Sequence, residues 1–464
     1  MTGTLLSHGV RKGYRVIPFL PKSIILVVTH FATQRIGAIS VPMNPGFRKT
    51  EMKYLIKDAG SALILAGREQ RHLLGEVDHG LNVLTVDTEL PYQDLDVFSS
   101  TAGSLPPIAV SADDPGLIIY TSGTTGNPKG AVLTQKNLLH DAMNIHKVWE
   151  ITESDMLCHA LPLFHVHGLC FALHTCLLAG SHVLLLDQFS PSVVMDILSK
   201  KKGSYDCTVF MGVPAMYNKM MGQSGNPAED FLHVRLWTSG SAPLLKKNFE
   251  TISRSFGKEP VEREGMTETG MNFSNPLKGK KKPGSIGCPL PGLEVRLVDP
   301  ETFQDVQSGQ TGEFWLKGPS ITPGYWQKPE ETAKAFQDGW FRTGDLGKRD
   351  KEGYFYLTDR IKQLIISGGE NISPKEVETV IHQLEGVKEV CVVGITDPKW
   401  GEKVVAAVVL KSNAELNSER IRAFCKENLL AWKCPKDIIF VEEIPKNTMG
   451  KIVKKKVISL FDPA

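Results

Sequence analysis

The sequence lacks a strong charge bias, cysteine motifs and long uninterrupted apolar runs. The 53 basic and 51 acidic residues leave a net charge of +2, which argues against nucleic acid or anionic membranes as partners. Eight cysteines occur without a CxxC pair or a Cys/His cluster of zinc spacing, a pattern that favours reduced thiols over a disulfide framework. We therefore expect a cytoplasmic protein.

The start of the chain has no apolar segment followed by a small-residue cleavage site, so it does not resemble a signal peptide. The two most apolar stretches, residues 23–41 and 167–186, contain His, and the first also contains Gln and Arg. Such residues favour a buried core over a membrane span. The 464 residues, 41% hydrophobic and 22% charged, predict a globular protein of two or three domains.

Up to about residue 285, short β-branched runs alternate with amphipathic stretches. This alternation predicts an α/β fold with parallel-type sheets covered by helices. Residues 294–318 read as two strands around a turn-rich loop, which predicts a small barrel-like sheet. From residue 359 onward, helical and strand patterns form a compact α+β set. We predict an N-terminal domain at 1–358 and a small C-terminal domain at 359–464.

The stretch "YTSGTTGNPKGAVLTQKN" at residues 120–137 combines glycine, hydroxyl side chains and one lysine. It lacks the GxxxxGK[ST] spacing of the nucleotide P-loop. Its glycines nevertheless allow backbone N–H groups to converge on an anion, and Lys129 supplies a cation suited to a terminal phosphate. "LIIY" before it reads as a strand and residues 134–149 after it as a helix. A phosphate loop and a flexible surface loop both remain open at this point.

Five further segments carry polar groups in tight turns. "SGSAPL" (239–244) follows a β run, and "EGMTETG" (264–270) contributes Thr267 and Glu268, whose carboxylate can hold Mg²⁺. "WFRTGDLG" contributes Asp345, "DRIKQLIISGG" contributes Arg360, and "PKNTMGKI" contributes Lys451. Each alone is explained as a structural turn or a solvated charge, but the combination is not.

Together these motifs resemble the adenylate-forming superfamily of acyl- and aryl-CoA synthetases, over residues 13–461. The resemblance implies a large N-terminal domain and a small mobile C-terminal domain that rotates about a hinge at Asp359. It also implies an ATP-, Mg²⁺- and CoA-dependent ligase. A carboxylate attacks the α-phosphorus of ATP to give an acyl-adenylate and pyrophosphate, and a CoA thiolate then displaces AMP. In such reactions the protein contributes mainly alignment and charge neutralisation.

The resemblance assigns roles by position. Lys129 and the loop before it would hold the β- and γ-phosphates, Glu268 the Mg²⁺, and Asp345 the ribose hydroxyls. Lys451 would bridge the substrate carboxylate and the α-phosphate, and Thr267 completes the catalytic set. Gly368 and Gly369 would line the pantetheine tunnel. The implied ATP- and AMP-binding residues are Thr121, Ser122, Gly123, Thr124, Thr125, Gly126, Ser241, Ala242, Glu264, Gly265, Met266, Asp345 and Arg360.

Two departures from the family pattern are visible. Glu264 stands where the family has an aromatic residue that stacks on adenine, so we expect weaker ATP binding or a different adenine position. The chain also begins near the family's Gly-Asp-Arg-Val segment, here "KGYRV" (12–16). We therefore expect the N-terminal domain to be short for the family.

The acid is predicted from the segment "HALPLFHVHGLC" (159–170), read partly as a strand with His165 and His167 on one face. Malonyl-CoA synthetases resemble the chain here but carry an arginine where it has Lys281, which lacks the bidentate fork. Fatty acyl-CoA synthetases match as well, with Trp237 and Met271 in an apolar tunnel. We predict a fatty or other apolar acid, with malonate or another small dicarboxylate as the alternative.

The resemblance also leaves other functions open. An enzyme that adenylates an acid and loads a carrier protein shares these motifs, as does an oxygenase of the luciferase type. An inactive AMP-binding homologue is the third alternative, suggested by Glu264 and the short N-terminus. We expect no integral membrane segment, and a homodimer is a possible assembly.

Overall fold

The computed structural model describes residues 1–75, 77, 80, 82–88, 90, 95, 107–121, 128–200, 205–223, 227–367, 370–447 and 451–461. The chain divides into two compact units. The first comprises residues 1–295 and 316–342, and the second comprises residues 296–315 and 343–464. No helix among the described residues is long and apolar enough to cross a membrane.

The first sheet of the large unit has the strand order β16-β6-β5-β2-β1-β3-β4. Neighbours from β5 to β4 pair in parallel, whereas β6 pairs antiparallel with both β5 and β16. Its strands are β1 (Arg15–Phe19), β2 (Ile39–Ser40), β3 (Leu63–Ala66), β4 (Val83–Thr85), β5 (Pro115–Thr121), β6 (Lys129–Thr134) and β16 (Gly324–Tyr325).

The second sheet repeats this design in the order β13-β12-β11-β10-β9-β7-β8. The neighbours from β11 to β8 pair in parallel, and β12 and β13 extend the sheet as antiparallel strands. Its strands are β7 (Met156–His159), β8 (His182–Leu185), β9 (Val209–Gly212), β10 (Leu236–Ser239), β11 (Val261–Met266), β12 (Gly270–Ser274) and β13 (Cys288–Pro289).

Helices connect these strands and bury their apolar faces. Thr134 caps the helix Gln135–Trp149 by accepting a hydrogen bond from Asn137 N at 3.2 Å, and the core ring of Trp149 is fully buried. The helices of the large unit are Thr2–Ser7, Ile24–Arg35, Lys49–Ala59, Arg68–Gly75, Gln135–Trp149, the π-helix His167–His174, Thr175–Leu178, Pro191–Leu198, Pro214–Met221, the 3₁₀ turn Ala228–Phe231, Lys246–Phe256 and Pro329–Ala335.

The second unit contains most of a sheet in the order β14-β15-β18-β17, with β19 pairing with β18, and a separate sheet in the order β21-β20-β23-β22, with β24 pairing with β23. The helix Pro374–Ile381 packs on this last sheet through Val377 and Ile381. The strands are β14 (Glu294–Val298), β15 (Gly312–Lys317), β17 (Phe336–Gln337), β18 (Trp340–Arg349), β19 (Phe355–Arg360), β20 (Ile365–Ser367), β21 (Glu370–Ile372), β22 (Val387–Asp397), β23 (Gly401–Leu410) and β24 (Asp437–Phe440). The helices are Ile361–Gln363, a 3₁₀ turn, Pro374–Ile381, Ser418–Asn428 and Lys454–Ile458.

The predicted fold class is confirmed, and so is the helix predicted over residues 134–149, which runs from Gln135 to Trp149. Strand β6, which lies between the glycine-rich loop and this helix, was not predicted, and the loop therefore joins two antiparallel strands. One local prediction is wrong. His165 and His167 do not share a strand face. His165 follows a turn and His167 opens a π-helix, because Gly168 packs so tightly on Pro162 that a Cβ there would lie 2.1 Å from its carbonyl oxygen.

Candidate active site

The predicted motifs of the large unit follow the carboxyl ends of parallel strands. β5 ends at Thr121, β10 ends at Ser239, and β11 ends at Met266. In open α/β sheets this edge is where ligands bind. In both sheets an antiparallel hairpin begins there as well, between β5 and β6 and between β11 and β12. The repeated design therefore gives each sheet an antiparallel strand pair that begins at this edge.

The first hairpin holds Thr121 and Lys129 opposite each other, and the Thr121 hydroxyl donates to the carbonyl of Lys129 at 3.4 Å. The predicted phosphate-binding residues Ser122, Gly123, Thr124, Thr125 and Gly126 lie outside the described residues. Their assignment stays a prediction. The structure does show a regular β-strand on each side of this loop.

Lys129 belongs to a charged cluster with Glu331, Tyr325 and Glu268. Its ammonium forms an ion pair with Glu331 and lies 5.2 Å from the Tyr325 ring centroid. The Tyr325 hydroxyl donates to Glu268 Oε1 at 3.1 Å. Lys129 lowers the pKa of Glu331, while burial and then Glu268 raise the pKa of Tyr325. The cluster thus connects the first hairpin to the second through Tyr325, which strand β16 places beside β6.

The second hairpin carries Thr267 and Glu268 in its turn, as predicted, and Glu268 is only 7% exposed. Its strands approach closely at Gly265, where a Cβ would lie 2.6 Å from the carbonyl oxygen of Gly270. Met266 ends the first strand. Half-buried Glu264, in place of the expected aromatic residue, accepts a hydrogen bond from Asn272 Nδ2 at 3.0 Å.

The turn after β10 contains Ser241 and Ala242, both exposed. Ser241 has a left-handed φ of 66°, which is a strained conformation for a residue with a side chain and is common at functional sites. Its hydroxyl lies 3.1 Å from His167 Nδ1. His167 is 2% exposed, and burial followed by the charge of Arg263 lowers its pKa well below the usual value. The structure therefore joins two predicted site residues from different motifs.

The remaining predicted acyl-pocket residues occupy different surroundings. Met271 is buried, and its amide donates to Asp141 Oδ1 at 2.8 Å. Trp237 is 1% exposed and stacks on Phe256 with ring centroids 4.3 Å apart. Half-buried Lys281 donates to the carbonyl of Leu277, at 3.1 Å, in its own loop. His165 is half-buried beside Phe164.

Sequence reasoning missed Arg263 as a site residue. It lies on β11 between Glu262 and Glu264 and is 2% exposed. None of its three side-chain nitrogens has a hydrogen-bond partner among the described residues. The signal available in the sequence was the position of Arg263. It immediately precedes the motif residue Glu264, and successive side chains point to opposite faces of a strand. Three consecutive charged residues, taken alone, are typical of a solvent-exposed surface.

In the second unit, Asp345 and Arg360 are paired across strands β18 and β19, with Arg360 Nε 2.6 Å from Asp345 Oδ1. Asp345 is 6% exposed. Burial raises its pKa, whereas Arg360, Lys451 and Lys375 oppose that rise. Lys451 therefore lies within electrostatic reach of Asp345. It sits on an exposed hairpin, where its amide donates to Asn447 Oδ1 at 2.9 Å.

Asp359, the predicted hinge, is held by the start of the helix Pro374–Ile381. Its Oδ2 accepts from the Ser373 hydroxyl at 2.5 Å and from Lys375 N at 3.2 Å. Gly368 and Gly369, the predicted tunnel residues, lie outside the described residues. A hinge at Asp359 and a domain boundary at that residue both stay predictions.

The residues of the large unit fit a magnesium ion bound through phosphates. Mg²⁺ prefers one or two carboxylates and keeps several waters, because it is not easily dehydrated. Glu268 supplies a buried carboxylate that accepts a hydrogen bond from Tyr325, and Lys129 lies over the ring of the same tyrosine. Among the described residues no cluster of three or more His, Cys, Asp or Glu forms a dedicated metal cage. A carboxylate of this kind would bind Mg²⁺ together with the nucleotide's own phosphate oxygens and offset the charge of the ion.

Two families match the chain. The AMP-binding enzyme family matches residues 2–326, and the AMP-binding enzyme C-terminal domain matches residues 376–451. The chain is 33% identical to a long-chain-fatty-acid–CoA ligase of Bacillus subtilis, over 98% of this chain and 87% of that protein. It is 34% identical to a mitochondrial malonate–CoA ligase of Homo sapiens, over 94% and 81%.

Among solved structures, the ATP-bound MatB of Rhodopseudomonas palustris is similar, with a TM-score of 0.93 and 36% identity. The similarity covers 100% of this chain and 91% of that one. The adenylate-forming architecture and the use of ATP and CoA follow from these matches. The chain belongs to the AMP-binding enzyme family and is an acyl-CoA synthetase, an acid–thiol ligase of the adenylate-forming superfamily.

Proposed function

We propose that this carboxylic acid–CoA ligase works in two half-reactions that use Mg²⁺. A carboxylate oxygen attacks the α-phosphorus of ATP, and the bond to the β-phosphate breaks to release pyrophosphate. The CoA thiolate then attacks the acyl carbon and AMP leaves. The observation that supports this proposal is the cluster in which Lys129 and Glu268 contact the same tyrosine, Tyr325. A cation and a carboxylate that contact one tyrosine suit a triphosphate carried by a divalent ion.

The proposed roles in the second unit follow the sequence predictions. Lys451 would neutralise charge as the carboxylate meets the α-phosphate, and Asp345 would accept the ribose hydroxyls. Asp345 is already paired with Arg360 at 2.6 Å, so nucleotide binding would have to share or replace that contact. We also propose that residues 359–464 move between the two half-reactions, with Gly368 and Gly369 lining the path of the thiol.

The acid itself has two candidates. The fatty or other apolar acid is supported by buried Met271 and by the relative named as a long-chain-fatty-acid–CoA ligase. A small dicarboxylate is supported by the relative named as a malonate–CoA ligase. A cytoplasmic location is supported by the eight cysteines, none of which forms a disulfide. A homodimer remains a prediction.

The test is pyrophosphate release with a panel of fatty acids and dicarboxylic acids, with and without CoA, followed by detection of the thioester. We expect ATP- and acid-dependent pyrophosphate, and acyl-CoA only when CoA is present. Pyrophosphate without any CoA thioester would favour carrier-protein loading or an oxygenase. No pyrophosphate with any acid would favour an inactive homologue.

A further inference from the structure

Asp58 is a nearly buried carboxylate that lies outside all the predicted motifs. It stands next to the last residue of the helix Lys49–Ala59, and its side chain is 10% exposed. Its Oδ1 forms an ion pair with Lys328 Nζ at 2.8 Å, and its Oδ2 accepts a hydrogen bond from the Tyr120 hydroxyl at 2.8 Å. Both oxygens are therefore bound by side chains from distant parts of the chain.

Tyr54 lies one turn earlier on the same helix and adds a third contact. Its hydroxyl donates to the Pro128 carbonyl at 2.9 Å and lies 3.4 Å from Asp58 Oδ1. Since a hydroxyl has a single proton, the shorter contact is the hydrogen bond. Burial and then the hydrogen bond to Asp58 raise the pKa of Tyr120, and burial followed by the charge of Asp58 raises the pKa of Tyr54. Both hydroxyls therefore keep the proton that they donate.

The three groups that Asp58 and Tyr54 bind share one property, which is that each adjoins the glycine-rich loop or the charged cluster around Lys129. They are the Tyr120 hydroxyl near the end of β5, the Pro128 carbonyl directly before Lys129, and the Lys328 ammonium directly before the helix Pro329–Ala335. That helix carries Glu331, the ion-pair partner of Lys129. One helix end thus holds both strands that flank the loop and the segment that pairs with Lys129.

Arg15 links the same helix end to strand β6 by a second route. Its Nε donates to the carbonyl of Ala59 at 2.8 Å, and its guanidinium carbon lies 5.3 Å from the Trp326 ring centroid. The amide of Trp326 donates to the carbonyl of Gly130 at 2.7 Å, one residue after Lys129. Two routes therefore connect the helix of Asp58 with the strand that carries Lys129. Contacts of this kind hold a site residue in place through its surroundings.

We infer that Asp58 is a positioning residue for the first half-reaction, one that holds Lys129 and the two strands around the glycine-rich loop where the β- and γ-phosphates bind. Asp58 acts through Tyr120, Tyr54 and Lys328 rather than by contact with a substrate. Its charge matters because Lys328 would otherwise lose its partner, and the helix that begins after Lys328 would lose its anchor. The inference rests on the proposed function, in which Lys129 neutralises charge on those phosphates.

This role divides the reactions of the enzyme by whether a pyrophosphate group takes part. In the reverse of the first half-reaction, a pyrophosphate oxygen attacks the α-phosphorus of the acyl-adenylate. The bond to the acyl carboxylate oxygen breaks, and ATP and the free acid form. In the second half-reaction, the CoA thiolate attacks the acyl carbon of the same adenylate and AMP leaves. Only the reaction with pyrophosphate should depend on Asp58.

The test supplies the acyl-adenylate of the acid that gives the fastest pyrophosphate release, and offers it either pyrophosphate with Mg²⁺ or CoA. Asp58→Asn keeps the size of the side chain and one acceptor oxygen but removes the charge. The rate of ATP formation should fall by about 10- to 100-fold, since a charged group of the site is misplaced. The rate of thioester formation should stay close to wild type. The ratio of the two rates is the readout, because a general loss of folded protein does not change it.

Lys328→Met removes the other partner of the ion pair and should lower the same ratio. The Lys328 side chain is 35% exposed, so this variant is expected to fold, and it decides the test if Asp58→Asn does not. Titration calorimetry with Mg²⁺ gives a readout without catalysis. ATP should bind both variants about tenfold more weakly than wild type, whereas AMP, which has no β- or γ-phosphate, should bind all three proteins equally.

Asp155→Asn is the matched control, because Asp155 is a buried carboxylate with a structural partner away from the site. Its side chain is 4% exposed, and its oxygens lie 2.7 and 2.6 Å from Nε and Nη2 of Arg235. Asp155 directly precedes β7 and Arg235 directly precedes β10, so the pair lies at the amino ends of parallel strands, opposite the ligand-binding edge. Asp155→Asn should lower the temperature of thermal unfolding and leave the ratio of the two rates at the wild-type value.

Three results would overturn the inference. They are an equal loss of both rates in Asp58→Asn and Lys328→Met, unchanged rates in both variants, and a loss of AMP affinity as large as the loss of ATP affinity. In each case wild type still uses pyrophosphate and CoA, so the ligase function stands. A wild type that converts the adenylate with neither acceptor would overturn the proposed function itself, and the inference with it.

Discussion

Lys451 is an exposed cation near a buried carboxylate of its own unit, Asp345. It lies within electrostatic reach of Asp345, and its hairpin is closed by hydrogen bonds with Asn447 at 2.9 Å. An ammonium on a flexible stem can follow charge as it develops on a reacting phosphate. Its proposed role is limited to the first half-reaction, because the proposed movement of residues 359–464 would withdraw it before the thiol arrives.

Lys451→Ala should lower the rate of acid-dependent pyrophosphate release by at least about 100-fold, because one charge is removed from the transition state. Conversion of supplied acyl-adenylate and CoA to thioester should remain close to wild type. The two rates are measured separately. Lys446→Ala, which removes a lysine of the same hairpin paired with Glu389 at 2.6 Å, should leave both rates unchanged. Equal loss of both half-reactions in Lys451→Ala would contradict a role for Lys451 in the first half-reaction alone.

Glu268 gives a second prediction at the scale of one residue. Glu268→Gln keeps an oxygen for the Tyr325 hydroxyl, now at 3.1 Å, but removes the charge. The Mg²⁺ concentration that gives half-maximal pyrophosphate release should rise by at least about tenfold. Titration of Mg²⁺ at saturating ATP measures this. An unchanged Mg²⁺ requirement would mean that the ion is held without this carboxylate.

At the scale of elements, the second sheet depends on a close approach at Gly287. Its φ is +93°, and a Cβ there would lie 2.0 Å from the carbonyl carbon of Ser274. Gly287→Ala should lower the free energy of unfolding by about 3 kcal/mol or more, because the obstacle is backbone and cannot rotate away. Urea unfolding followed by circular dichroism measures the change.

Gly279 is the matched control because it has a similar φ of +103° but no heavy atom within 4 Å of the added Cβ. Gly279→Ala should therefore cost only the left-handed conformation, about 1 kcal/mol. If the two variants were equally stable, the tight contact between β12 and the chain before β13 would not control stability.

At the scale of the whole molecule, buried histidines make unfolding depend on pH. His174 is 8% exposed, its Nε2 lies 2.8 Å from that of His30, and burial lowers its pKa to about 4. The unfolded value is 6.5, so the unfolded chain binds the proton first. The stability that His174 contributes is present above about pH 6.5 and is lost as the pH falls toward 4.

The difference in unfolding free energy between wild type and His174→Gln should therefore shrink by about 1.4 kcal/mol per pH unit between pH 6.5 and 4. Burial raises the pKa of Asp141 and of Glu378 to about 7, and these groups act in the opposite sense. Wild type and His174→Gln both contain Asp141 and Glu378, so the effect of these two groups cancels in the difference between the two free energies of unfolding. The same difference should be flat between pH 7 and 8, and a flat profile at lower pH would contradict the prediction.

Much of the fold followed from sequence pattern. Alternating β-branched and amphipathic stretches gave β1, β8 and β9 with their following helices and β3 with the helix before it, since local periodicity reports which side of an element is buried. Strand β6 was missed because its apolar run directly precedes a strong helix cap at Thr134. The His165 strand was misread because so short a run does not distinguish a strand from a turn followed by a helix.

The sequence alone determined the family and the reaction class, because the motifs are short turns whose chemistry is carried by neighbouring residues. It also predicted Lys129, Glu268, Asp345, Arg360 and Lys451 as site residues. Only the tertiary structure joined Lys129 to Glu268 through Tyr325, from a segment about two hundred residues from Lys129 along the chain. Only the structure separated Arg235, which contacts Asp155, from Arg263, whose side-chain nitrogens have no hydrogen-bond partner among the described residues. Burial and partnership of a charge depend on distant strands and helices, and for that reason no local pattern encodes them.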